Sequence, residues 1–68
     1  MMHTIPRGNW PRHLADAIGR SNPGDVIVCH TNEMGWMARS AAERMQKPRL
    51  RFELEDGTEV PPEPPDEG

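Results

Sequence analysis

The run Val26-Ile27-Val28-Cys29-His30 limits what this chain can fold into more than any other feature. Apolar side chains fall on both parities, the mark of a strand covered on both faces, typically an inner strand of a parallel sheet. A second run, Arg49 to Glu55, alternates strictly. Leu50, Phe52 and Leu54 lie on one side, and Arg49, Arg51, Glu53 and Glu55 on the other. Between the runs, Thr31 and Asn32 offer a cap and Glu33 to Lys47 reads as a helix closed by Pro48. Strand, helix and strand in about 30 residues is a βαβ unit.

The flanking segments complete an α/β fold in the order α-β-α-β-β, with a small mixed sheet. Residues 1–8 read as an N-terminal arm in which His3-Thr4-Ile5 is suited to edge-strand pairing before Pro6 and Gly8. Asn9 caps a first helix opened by Trp10 and Pro11, with Trp10, Leu14, Ala17 and Ile18 on one face and Gly19 at its exit. Asn22-Pro23-Gly24-Asp25 suits a type II turn. After the last strand, parity selects the hairpin. A three-residue loop, Glu55-Asp56-Gly57, pairs Phe52 with Val60 and Leu54 with Thr58. The expectation is one small domain over 9–60, with 61–68 a disordered, proline-rich acidic tail.

Sixty-eight residues give a thin core, and one cysteine excludes an intrachain disulfide. The lone thiol suits a reducing compartment, no apolar run approaches a membrane span, and residues 1–8 lack a signal peptide's apolar core. The expectation is therefore a soluble, cytoplasmic protein. The net charge of −3 hides an asymmetry: residues 1–55 hold eight basic and six acidic side chains, whereas 56–68 hold five acidic and no basic ones.

Chemistry-bearing motifs are sparse. Cys29 and His30 sit where α/β folds place ligands, but a phosphatase-like loop needs arginine six positions after its cysteine, and that position is Gly35. His30, adjacent on a strand, points away from Cys29. Cys29 thus reads as a small buried apolar residue. His3, His13, His30 and Cys29 lack metal-ligand spacing, and neither a Walker A sequence nor GxGxxG occurs. No catalytic residue, metal or cofactor is expected, so the chain is read as no enzyme.

The second helix supplies the functional candidate. Met34, Met37, Ala38, Ala41 and Met45 form its core stripe, which leaves Trp36 on the opposite face with Ser40, Glu43 and Lys47. A tryptophan on that face is covered by a partner or by the chain's own arm or tail. The protein-binding reading makes Trp36 the anchor and Ser40, Glu43 and Lys47 its neighbours. The alternative is a nucleic-acid-binding patch of Arg44, Lys47, Arg49 and Arg51, masked by the acidic tail. Free sheet edges add a homodimer to the expected partners.

Pro23-Gly24-Asp25-Val26-Ile27-Val28, with Thr31, Met34, Ala38, Ala41-Ala42 and Arg44-Met45, resembles small phage- and prophage-encoded proteins over roughly residues 22–54. That resemblance implies an accessory or inhibitory protein, such as an anti-defence factor, that binds a larger host protein. It carries over no site residues.

Overall fold

The computed structural model describes residues 1–64. Its elements run β1 (Met2–Thr4), α1 (Trp10–Arg20), β2 (Val26–Cys29), α2 (Asn32–Arg44) and β3 (Arg51–Leu54). The strands form one sheet in the order β1-β2-β3, and both pairings are parallel. The protein is therefore an α/β domain of order β-α-β-α-β. The edge strand expected at His3-Thr4-Ile5 is present one residue earlier, at Met2–Thr4, but it belongs to the domain rather than to an arm: Met2 pairs with Val26 and Thr4 with Val28, and Ile5 is a core residue only 1% exposed. Ile5 has no apolar neighbours in sequence, so its burial rests entirely on contacts with the rest of the fold.

Both helices pack on one face of the sheet. Leu14 and Ile18 of α1 and Met34, Ala38 and Ala42 of α2 share one cluster with Ile27, Cys29 and Phe52. α1 lacks the expected side-chain cap, because Asn9 adopts the left-handed conformation and makes no capping bond. The helix also runs past Gly19 to Arg20. Asn22 to Asp25 forms the expected type II turn, with Gly24 at φ 90° and the Asp25 N–H donating to the Asn22 carbonyl at 3.0 Å.

After β3 the chain returns in the register that parity selects. The Leu54 N–H donates to the Thr58 carbonyl at 2.7 Å, and the Val60 N–H to the Phe52 carbonyl at 2.9 Å. Gly57 sits at φ 88°, where a side chain would be strained. The return is shorter than a strand: a single antiparallel bridge joins Glu53 and Glu59, so the named strands are all parallel and the mixed character is confined to that bridge.

α2 is rotated from its expected setting. Its buried residues are Met34, Gly35, Ala38 and Ala42, while Met37 and Met45 are exposed. At 3.6 residues per turn this turns the core face by about 60° from the Met/Ala stripe. The cause is the return segment. A Cβ on Gly35 would lie 2.5 and 2.7 Å from the two methyl carbons of Val60, so glycine alone lets α2 settle on that side chain. The helix starts with Thr31 accepting from the Met34 N–H at 3.2 Å. It ends in a Schellman motif: Gln46 is left-handed at φ 60°, its N–H donates to the Glu43 carbonyl, and the Lys47 N–H donates to the Ala42 carbonyl.

Candidate protein-binding site

The outer side of α2 is framed by the segment that follows the return. Trp36 is half-buried, and its indole N–H donates to the Pro61 carbonyl at 2.9 Å. Arg39, one helical turn on, donates to the same carbonyl at 2.8 Å and to that of Val60, while its guanidinium lies 5.8 Å over the Phe52 ring. The tail reading of residues 61–68 is thereby sharpened. Pro61 is pinned to α2, Pro62 and Glu63 border its outer surface, and residues 65–68 lie outside the described part. The chain's own proline segment, one of the covers expected for Trp36, contacts it.

This arrangement leaves two adjoining grooves. One, of about 480 Å³, is lined by Glu33, Trp36, Met37, Ser40 and Glu63. The other adds Arg39, Glu43 and Pro62 along the same helix. Met37, expected in the core, is 53% exposed and forms part of the apolar floor beside Trp36. Glu33, Glu43 and Glu63 supply three carboxylates to the rim. The nearby cation, Arg39, is committed to backbone carbonyls. The surface is acidic around an aromatic and a thioether.

Trp36, Ser40 and Glu43 are therefore brought together, whereas Lys47 is not free to join them. Its ammonium donates to the carbonyls of Ile18, Gly19 and Ser21 at 2.9, 2.7 and 3.0 Å, closing the C-terminus of α1. Its assignment to either binding surface is corrected accordingly. The basic candidates are also split between two grooves, with Lys47 bordering both. Arg49 borders a groove with Ser21, Pro23 and Gln46, and Arg51 borders another with Glu43 and Glu59. Arg51 lies 3.7 Å from Glu53, and Arg44 stands on the helix layer. No continuous basic stripe results, so the geometry gives the nucleic-acid reading little support.

Cys29 is fully buried, and desolvation pushes its thiol up to about 11, which keeps it protonated and unreactive at neutral pH. Two carboxylates tie strand ends together instead. At the amino edge, Asp25 accepts from the Met1 amino group at 3.1 Å, from the Asn22 N–H at 3.0 Å and pairs with His3 at 2.9 Å. The His3 bond, then the Asn22 N–H, hold its carboxyl well below the usual range. At the carboxyl edge, Glu55 lies 3.1 Å from His30 Nδ1 and accepts from Arg7 at 3.0 Å. The His30 contact lowers the Glu55 carboxyl, and the other ring nitrogen of His30 bonds the Ile5 carbonyl. Among the described residues no three His, Cys, Asp or Glu side chains gather as a metal site, and no helix is long and apolar enough to cross a membrane.

Sequence reasoning missed Arg39, Glu33 and Met37. A mid-helix glycine was the available signal, since Gly35 marks a close approach and so fixes which face turns inward. With the helix set by Gly35, Met37 rotates outward. No family model, curated protein or solved structure matches the chain. The fold and site define a class only: a three-stranded parallel α/β domain carrying an acidic-rimmed aromatic groove on its second helix.

Proposed function

We propose that this protein is a non-catalytic accessory factor that acts by occupying a surface on a larger protein through the outer face of α2. The observation that carries the reading is the pairing of a half-buried Trp36 with an exposed Met37 on a surface of two adjoining grooves, one rimmed by Glu33 and Glu63 and the other by Glu43 and Glu63. Tryptophan and methionine are enriched at the centres of interfaces, where a rigid or adaptable apolar side chain fills a pocket. The three carboxylates make the complementary surface a basic one, presenting an aliphatic or arginine side chain to Trp36. The resemblance of residues 22–54 to small phage-encoded proteins makes a host defence or regulatory protein the partner class, with inhibition as the outcome of its capture.

Met37→Asp and Glu43→Lys change exposed side chains outside the core, so they test the surface without disturbing the fold. Against a purified partner, each is expected to weaken binding by at least about tenfold, the loss of roughly 1.4 kcal/mol. Unchanged affinity in both variants contradicts the assignment. Trp36→Ala is a poorer probe, because it also removes a tie to Pro61.

A further inference from the structure

Resting on the reading of α2's outer face as a binding surface, we infer that this face takes a proline-rich segment of the partner, basic after its proline pair, which replaces the chain's own Pro61-Pro62-Glu63. A first example of such a ligand is held in cis. Trp36 Nε1 donates to the Pro61 carbonyl at 2.9 Å and Arg39 Nη1 to the same oxygen at 2.8 Å, while Arg39 Nη2 donates to the Val60 carbonyl. An indole N–H and a guanidinium donate and never accept. A prolyl residue has a carbonyl and no N–H, so its backbone accepts and never donates. Donors one helical turn apart thus hold an acceptor-only backbone, as aromatic-lined grooves hold the preformed extended helix of proline-rich ligands.

The cis segment has the matching backbone and a mismatched charge. Glu63 lies with Glu33 in one groove and with Glu43 in the other, and the nearby cation, Arg39, is committed to carbonyls. Like charges therefore oppose the grip of the donors. The grip is also slight. Val60 makes the last backbone bond of the return, to the Phe52 carbonyl. Residues 61–64 are all exposed, and among the described residues their hydrogen bonds are those at the Pro61 carbonyl. The segment from Pro61 onward can therefore leave α2 while Val60 stays in the core. A partner segment in which arginine or lysine follows Pro-Pro offers the same kind of carbonyl to Trp36 and Arg39. It also brings a cation to Glu33 and Glu43 where Glu63 brings an anion.

Titrating the isotope-labelled full chain with a capped Pro-Pro-Arg-Pro-Pro peptide tests this by NMR, read at the Trp36 indole N–H cross-peak. The expected result is a saturable shift by millimolar peptide, with the Val60 amide still protected from exchange. A peptide with glutamate in place of arginine, which is this chain's own 61–65 sequence, binds at least about tenfold weaker. A peptide with alanine in place of every proline leaves the cross-peak unmoved. Pro61→Gly loosens the cis segment by removing its fixed φ, and so strengthens binding of the arginine peptide several-fold. Glu63→Arg gives the cis segment the matching charge and weakens binding of that peptide at least about tenfold. A cross-peak that millimolar arginine peptide does not move overturns the inference, as does equal affinity for the two charges or a Pro61→Gly chain that binds no better. A purified partner that is lost on Met37→Asp, with a chain blind to the peptide, leaves the proposed function standing and overturns this inference alone.

Discussion

At the scale of single residues, the sign of an effect separates this packing from an ordinary helix. Alanine is favoured over glycine in a helix interior by roughly 1 kcal/mol, so Gly→Ala on a free helix face stabilises. Gly35 touches the Val60 methyls, and a Cβ there forces overpacking, which costs typically about 1–3 kcal/mol. Gly35→Ala is therefore expected to lower stability in urea unfolding, where an unobstructed helix gains. Gln46 reverses the case. It is held left-handed at the C′ position of α2, a conformation glycine adopts without strain, so Gln46→Gly is expected to stabilise by about 0.5–1 kcal/mol in the same measurement. Gly35 carried a visible signal as a glycine inside an apolar pattern, but its partner lies 25 positions away. Gln46 carried none, because glutamine is not a residue type that announces a left-handed cap.

At the scale of elements, polar side chains do the stapling that a disulfide does in other small domains. Lys47 joins the end of α2 to three carbonyls at the end of α1; if it is shortened, those of Gly19 and Ser21 lose this donor, while that of Ile18 keeps the Ser21 N–H. Lys47→Ala is expected to cost about 1–3 kcal/mol in denaturant unfolding, well above the few tenths typical of a surface lysine. Asp25 and Glu55 tie the two ends of the sheet, each with a histidine partner. Both carboxyls are lowered in the folded state, so their contribution is fully present above their ordinary values near pH 4 and is lost as pH falls through the depressed ones. Thermal midpoints are expected to drop steeply below about pH 4, and a double Asp25→Asn/Glu55→Gln variant to flatten that dependence. Strand and helix positions were readable from the sequence because period-2 and period-3.6 patterns are local. The ties were not, since Lys47, Arg39 and Asp25 reach partners 21 to 29 positions away. A solvated charge and a clamping charge look alike in sequence.

At the scale of the whole molecule, the chain spends both ends on its one thin core. Ile5 from the first segment and Val60 from the last are each 1% exposed, so the domain reaches further towards the amino end than the expected 9–60, while Val60 closes it at the other end where expected. Charge asymmetry follows the same layout. Residues 56–63 do not stand apart from the body, because Val60 and Pro61 are bound by Trp36 and Arg39, and Pro62 and Glu63 supply one wall of the α2 grooves. The sequence made Trp36 conspicuous, since its face was evident from the helical repeat. It left the identity of its cover open, because the indole's partner is a carbonyl that every residue carries. The central claim is that this return segment belongs to the fold and builds the binding face. Native-state hydrogen exchange at the Val60 amide tests it most directly, since that N–H bonds the Phe52 carbonyl at 2.9 Å. Slow exchange at Val60, in step with the amides of β2, is the expected result. Exchange at the rate of an unstructured peptide, with β2 still protected, would contradict it.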